Sequence, residues 1–127
     1  METERIFDIE DRLIAFAVKI SNLVESLPTS IGIRSVSGQL IRSGTSPALN
    51  YGEAKSAESP NDFIHKMKIA LKELRESYIA LKILRQIKTV ERKDQLDICI
   101  IECNELISIF VRSIQTAERN RQINKEK

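Results

Sequence analysis

The sequence predicts an all-α protein, an up-and-down (antiparallel) four-helix bundle whose second helix is irregular. Apolar residues recur at three- and four-residue steps in four successive segments, which is the period of an amphipathic helix. All four glycines and all three prolines fall between positions 28 and 60, so the rest of the chain carries neither helix breaker. Four such helices joined by short connections favour antiparallel packing around one core.

Length and composition bound the class of protein. At 127 residues the chain has the size of one domain, and we expect residues 1–127 to form a single bundle. Hydrophobic residues make up 42% and charged residues 30%, which excludes a disordered chain. No apolar run approaches the roughly 18 residues needed to cross a bilayer, and the chain begins without an apolar leader, so we expect a cytoplasmic protein with no membrane partner. The net charge of +2 is too small to identify a partner.

The first two helices differ in regularity. The first helix is predicted over residues 6–27 and ends before Pro28. The second is predicted over residues 33–57. The first carries the apolar stripe Ile6, Ile9, Leu13, Phe16, Ile20, Leu23 and Leu27. In the second, four residues are expected to face partly inward: Val36, Leu40, Leu49 and Ala54. Gly44 and Pro47 disturb its middle, so we expect a kink or break near Pro47.

The last two helices have clearer signals. The third is predicted over residues 60–88, because Ser59 can cap it, Pro60 suits its first position and Asp62 stands where a capping-box acid would. Its stripe is Phe63, Met67, Ala70, Leu74, Tyr78 and Leu81. The fourth is predicted over residues 92–118, with the stripe Leu96, Cys99, Cys103, Ile107, Phe110 and Ile114. The polar residues that follow are expected to fray.

A second set of isoleucines is predicted to point away from the core. It comprises Ile69, Ile79, Ile83 and Ile87 on the third helix and Ile98, Ile101 and Ile109 on the fourth, and the first helix adds Phe7, Ile14 and Val18. Burying half a dozen of these between copies gives on the order of 10–15 kcal/mol gross, against an association cost of similar size. We expect a homo-oligomer. The alternative is a third helix wrapped completely within one subunit.

Candidate chemical groups are few. Asp62 and His65 stand one helical turn apart, but the chain has one histidine, whereas a di-iron bundle needs two such pairs and two more carboxylates. Cys99 and Cys103 lie on an apolar face and are expected to be reduced and buried. The sequence contains no glycine-rich phosphate loop and no nucleophile elbow. We therefore expect no catalytic residues, no metal, no cofactor and no enzyme activity.

The third helix is basic on one flank. Positions 62–88 carry seven Lys or Arg residues against three acids, and the flank consists of Lys68, Lys72, Arg75 and Lys82. Glu73 and Glu76 are predicted to lie on the other flank. Such a row can follow a phosphate backbone, whereas an ordinary solvated helix face is the alternative. With no Trp and two Tyr in the chain, base stacking on aromatic side chains is not expected.

Four polar residues gather at the junction of the second and third helices: Asn50, Glu53, Glu58 and Asp62. Acids at a helix start favour its dipole, which explains Glu58 and Asp62. We expect Asn50 and Glu53 to form structural hydrogen bonds to Arg42, Lys66 or a neighbouring subunit.

The same region carries a family resemblance. It runs through Ile41-Arg42-Ser43-Gly44-Thr45-Ser46, Asn50-Tyr51-Gly52-Glu53-Ala54, Ala57-Glu58-Ser59, Asp62-Phe63-Ile64-His65-Lys66 and Leu71-Lys72-Glu73-Leu74-Arg75-Glu76. In this order and spacing the segments resemble the bacterial "four helix bundle protein" family, also called ribosomal-RNA intervening-sequence proteins. The resemblance is distinct over residues 34–88. Tyr51-Gly52 and Ala54 replace the Ile-Ala and Gly of the more common form, which indicates a variant subgroup.

The resemblance implies a ring-shaped homopentamer and a structural role for the motif residues, including Phe63 and His65. Some members of the family are encoded within intervening sequences of large-subunit ribosomal RNA genes, and a related bundle assists a reverse transcriptase. Our main expectation is a non-enzymatic oligomer that binds RNA, DNA or a nucleic-acid enzyme through repeated basic flanks. The alternative is a protein-binding scaffold whose outward isoleucines recruit a partner.

Overall fold

The computed structural model describes residues 8–126 and contains four helices: α1 (Asp8–Glu25), α2 (Ile31–Lys55), α3 (Pro60–Gln86) and α4 (Lys93–Glu126). Each helix packs against the next one in the chain, most extensively α2 against α3, and α4 returns to α1. Within residues 8–126 no strand is present. The diagonal pair α2 and α4 meets inside the bundle, where the rings of Tyr51 and Phe110 pack edge to face with their centres 6.0 Å apart. The predicted all-α, antiparallel four-helix bundle is confirmed.

The core follows most of the predicted stripes. Leu13, Phe16, Ile20, Leu23 and Leu27 of the first stripe are buried, and so is most of the third and fourth stripes. Ile9 is half-buried, whereas Ile6 and Phe7 lie outside the described residues. Leu106 replaces the half-buried Ile107 in the centre of the core. Leu49 is 71% exposed, contrary to prediction, because nine residues at 100° each place it half a turn from the buried Leu40.

Helix α2 is continuous over Ile31–Lys55, so of the two predicted outcomes near Pro47, a kink or a break, the break does not occur. Pro47 lies inside the helix and is buried, although it supplies no N–H to the turn before it. The helix is held on both sides at this level. Gly44 approaches Ile20 of α1, and the Oγ atoms of Ser43 and Ser77 of α3 lie 2.8 Å apart in the core. Packing on both faces offsets the missing hydrogen bond.

Side chains define both ends of α3. At the start of the helix they are the side chains that the sequence predicts. The Ser59 side chain accepts a hydrogen bond from the backbone N–H of Asp62 at 3.1 Å, and Pro60 occupies the first turn. At the other end, Lys93 Nζ donates to the carbonyl oxygens of Arg85 at 2.7 Å and Ile87 at 2.8 Å. These bonds satisfy carbonyls that the last turn of a helix leaves without intrahelical partners.

Helix α4 extends eight residues past the predicted end at position 118, through the segment that is expected to fray. The added turns contain no glycine or proline. They also contact the bundle, because Arg121 Nη1 donates to Asn61 Oδ1 at 3.1 Å. A helix anchored at this point continues where an isolated polar segment would not.

The contact between α1 and α4 is the least extensive of the four helix pairs, and it is joined by one arginine. Arg12 binds Glu102 with two hydrogen bonds, Nε to Oε2 at 3.1 Å and Nη2 to Oε1 at 2.7 Å. The same Nη2 donates to Glu105 Oε1 at 3.1 Å. The hydrogen bond to Glu102 is the main cause that raises the pKa of Arg12.

Candidate nucleic-acid interface

An open groove of about 810 Å³ runs between α2 and α3 on the surface of the bundle. We call it the α2–α3 groove. The helices are antiparallel, since Ser43 pairs with Ser77 and Glu53 with Lys66, so residues early in α2 stand beside residues late in α3. The groove therefore has two ends of different chemistry. The basic half is lined by Arg42, Lys68, Lys72, Arg75 and one acid, Glu76, and the apolar half by Val36, Ile79, Ala80 and Ile83. Arg42 lies at the boundary of the two halves, because its neighbour Ser43 pairs with Ser77.

The cations of the basic half differ in how far they are neutralised. Lys68 Nζ lies 3.1 Å from Glu118 Oε2 of α4, so its charge is shared with that carboxylate. Arg42, Lys72 and Arg75 are exposed and have no ion-pair partner among residues 8–126. Three guanidinium or ammonium groups from two helices therefore border one concave surface without a counter-charge bound to them.

Three of the four cations predicted for the basic flank lie in this groove, namely Lys68, Lys72 and Arg75. Lys82 does not line it; its Nζ lies 5.1 Å from the centre of the Tyr78 ring. Glu76 was predicted on the other flank but lines the groove, because four residues bring it to within about 40° of Lys72 around the helix.

Arg42 was missing from the predicted flank. It comes from α2, and a row counted along α3 alone cannot include it. The buried residues Leu40, Ser43 and Pro47 fix the rotation of α2 and so turn Arg42 outward beside α3. If α2 is counted as one regular helix of 3.6 residues per turn, without a break at Pro47, the pattern of its buried residues indicates where Arg42 lies.

The predicted outward isoleucines divide into two groups. Ile79 and Ile83 in the groove are 56% and 46% exposed, and Ile98 and Ile101 on α4 are 47% and 61% exposed. Ile69 and Ile109 are half-buried. Ile87 packs against the core at the end of α3, which corrects its predicted outward position. The alternative of complete wrapping within one subunit fails for the four exposed isoleucines.

The motif residues at the α2–α3 junction form local contacts. Asn50 Nδ2 donates to Ser46 Oγ at 2.9 Å, within its own helix, and neither Arg42 nor Lys66 donates to Asn50. Glu53 accepts from Lys66 Nζ at 2.8 Å, and this hydrogen bond raises the pKa of Lys66. Glu58 and His65 are exposed, Asp62 is half-buried, and Phe63 packs half-buried against the core.

The two thiols are buried and free. Cys103 Sγ donates to the carbonyl oxygen of Leu74 at 3.2 Å, and burial raises the pKa of Cys103 to about 12. Burial also raises the pKa of Cys99. Both groups are therefore protonated near neutral pH, which makes them poor nucleophiles and poor metal ligands. Over residues 8–126, no group of three or more His, Cys, Asp or Glu side chains is placed to hold a metal ion.

Comparison with known proteins agrees with the fold. The family model for the 23S rRNA-intervening sequence protein matches residues 7–112 of this chain. The chain belongs to this family. The resemblance predicted from the motif residues is thus confirmed, and in this intervening-sequence protein the match includes both sides of the α2–α3 groove.

A solved structure is similar over most of the chain. It is the crystal structure at 1.70 Å resolution of a protein with unknown function from the S23 ribosomal protein family of Bacteroides thetaiotaomicron. The two proteins share 32% sequence identity with a TM-score of 0.72, over 84% of this chain and 97% of the other. No curated protein matches the chain. Neither the family description nor that of the solved structure names an enzymatic activity. None of the described helices is long and apolar enough to span a bilayer.

Proposed function

We propose that this intervening-sequence protein is a non-enzymatic homo-oligomer, a pentamer, that binds nucleic acid through the basic half of the α2–α3 groove. The observation that supports the proposal is the convergence of Arg42, Lys72 and Arg75 from two packed helices on one concave surface. RNA is the first candidate ligand, because the family is named for an intervening sequence of 23S rRNA.

The physical argument is electrostatic. When cations on rigid helices contact phosphate oxygens, little conformational freedom is lost except that of the cationic side chains themselves. Each contact also releases condensed counterions. Three phosphate contacts give a slope of roughly −2 to −3 in a plot of log K against log salt concentration. A symmetric oligomer repeats the basic half in every subunit, so one long ligand meets several copies and the apparent affinity rises.

Filter binding to a structured RNA across a salt series tests the proposal. The variant Arg42→Glu, Lys72→Glu, Arg75→Glu is expected to lose RNA binding at every salt concentration. The matched control is Lys19→Glu, Arg112→Glu, Arg119→Glu, which changes the net charge equally with residues of α1 and α4 that are exposed and have no ion pair within the described residues. The control is expected to keep most of the affinity. Equal losses in both variants, or wild-type binding that salt does not weaken, contradict nucleic-acid binding by this groove.

The apolar half of the groove supports a second candidate function, a scaffold that binds a protein such as a nucleic-acid enzyme without touching nucleic acid. Ile79 and Ile83 offer exposed apolar surface that phosphate does not use. A pull-down from the native host with and without nuclease distinguishes the two. Nuclease abolishes co-purification if nucleic acid is the ligand and leaves it intact if the partner binds the protein directly.

A further inference from the structure

We infer that the apolar half of the α2–α3 groove is occupied by the outer face of α4 from a second copy of this chain, so that copies join head to tail. The inference rests on the self-association in the proposed function and assigns the two surfaces that form the contact. It does not depend on whether the ligand is nucleic acid.

The outer face of the first half of α4 has a defined pattern. Asp94, Ile98, Ile101 and Glu105 follow one another at steps of four, three and four residues, which aligns them along the solvent side of the helix. All four are exposed. With a rise of about 1.5 Å per residue, the two acids stand about 16 Å apart with the isoleucine pair between them. We call this row the α4 ridge.

The groove and the ridge are complementary in charge. In the groove, an apolar half containing Ile79 and Ile83 adjoins a basic half containing Arg42 and Arg75. In the ridge, an apolar pair is flanked by two carboxylates, of which Glu105 also accepts a hydrogen bond from Arg12 at 3.1 Å. Seating the ridge in the groove therefore places apolar side chains together and brings an acid towards the cations.

Charge disfavours the symmetric alternatives. A contact between two α4 ridges opposes Asp94 and Glu105 with carboxylates of the same kind. A contact between two grooves opposes arginines and lysines when their helices run parallel, and places the basic half of each groove on the apolar half of the other when they run antiparallel. When one groove pairs with one ridge, the four cations that line the groove outnumber its carboxylate, Glu76, so the acids of the ridge meet net positive charge. Because groove and ridge are different surfaces of the chain, the contact is heterologous and closes into a ring or continues as a filament.

This contact leaves part of the basic half open. Lys68 precedes Ile79 by 11 residues along α3, which corresponds to about 16 Å on a helix. A neighbouring ridge whose Asp94 end points towards the basic half therefore leaves the far end of the groove open, because only five residues of α4 precede Ile98. Arg42 is level with Ile79, because its neighbour Ser43 pairs with Ser77, so Arg42 lies beside the ridge while the part of the groove around Lys68 stays open to nucleic acid.

Three paired variants test the assignment. The groove variant is Ile79→Asp, Ile83→Asp, and the ridge variant is Ile98→Asp, Ile101→Asp. The control is Ile14→Asp, Val18→Asp on α1, where the two side chains are 48% and 53% exposed, much like those of the groove and ridge. Helical content by circular dichroism verifies that each variant folds, and light scattering at high protein concentration gives the mass.

The wild type and the control are expected to have the same mass, several times the 14.5 kDa of one chain. The groove and ridge variants are each expected to have the mass of one chain. Mixed in equal amounts, they are expected to form a species of exactly two chains, because the intact ridge of one fits the intact groove of the other and neither can extend further.

Each other result overturns a specific statement. If the wild type associates but either variant keeps the wild-type mass, or the mixture stays at 14.5 kDa, the assignment of surfaces is wrong and self-association stands. If a different protein occupies the apolar half of the groove, the ridge variant keeps the wild-type mass, which is one of these results. A wild type that remains a single chain overturns both self-association and the assignment. Loss of RNA binding with assembly intact concerns only the nucleic-acid proposal.

Discussion

At the scale of a residue, Gly44 determines how closely α1 approaches α2. A Cβ atom at this position would lie 2.9 Å from Cγ2, 3.0 Å from Cγ1 and 3.2 Å from Cβ of Ile20, the branched base of a buried side chain that cannot easily move aside. Gly44→Ala is therefore expected to lower the free energy of unfolding by about 1 kcal/mol, since overpacking costs about 1–3 kcal/mol and alanine regains about 1 kcal/mol of helix propensity. Urea unfolding measures the change.

Gly38 provides the control for this prediction, because it lies in the same helix with no atom within 4 Å of the position of a Cβ. Gly38→Ala is expected to raise the free energy of unfolding by about 0.5–1 kcal/mol through helix propensity alone. If both substitutions stabilise the protein equally, the close approach of α1 at Gly44 does not affect the free energy of unfolding.

At the scale of an element, the end of α3 depends on a side chain that begins α4. Lys93→Met keeps the length of the side chain but removes the donors to the carbonyls of Arg85 and Ile87. We expect a loss of about 1–3 kcal/mol in the free energy of unfolding, because hydrogen bonds from a charged group are lost. Chemical denaturation measures it, with faster amide hydrogen exchange in the last turn of α3 as a second observable.

The matched control is Lys88→Met. Lys88 is an exposed lysine in the same connection, with no hydrogen bond or ion pair within the described residues. A change within about 0.5 kcal/mol is expected there. Equal effects of the two substitutions would show that the carbonyls of α3 do not require Lys93.

Helices α3 and α2 show how far local sequence signals reach. The start of α3 was predictable because Ser59, Pro60 and Asp62 act on the turn in which they stand. The continuity of α2 was not, because what overcomes Pro47 comes from other helices, through Ile20 against Gly44 and Ser77 against Ser43. The last turns of α4 likewise contact Asn61, which is 60 residues from Arg121 in sequence.

The candidate site was predictable in part for the same reason. Lys68, Lys72 and Arg75 share one side of a single helix, so a count along α3 finds them. Arg42 and Val36 join them only because α2 packs antiparallel beside α3 with a particular rotation. That rotation is a property of the packed pair.

At the scale of the whole molecule, self-association should appear as a concentration dependence of stability. If the native chain is an oligomer, its thermal midpoint is expected to rise with protein concentration, because mass action favours the associated folded state. The ridge variant, Ile98→Asp, Ile101→Asp, is expected to show a midpoint that does not change with concentration. Calorimetry over a hundredfold range of concentration measures both.

The α1 control, Ile14→Asp, Val18→Asp, should retain the concentration dependence of the wild type, since it alters equally exposed side chains away from the groove and ridge. A wild-type midpoint that is constant across the range contradicts an oligomer whose folding is linked to its assembly.

The narrow contact between α1 and α4 also indicates where the bundle opens first. Because the guanidinium of Arg12 provides the hydrogen bonds between side chains that join these helices, brief separation of the two helices disrupts far fewer interactions than parting α2 from α3. Local unfolding in small proteins proceeds along such weak boundaries. The amino-terminal helix is thus the part of this fold most readily exchanged between molecules or reached by a protease, while α2 and α3 stay together as its most durable unit.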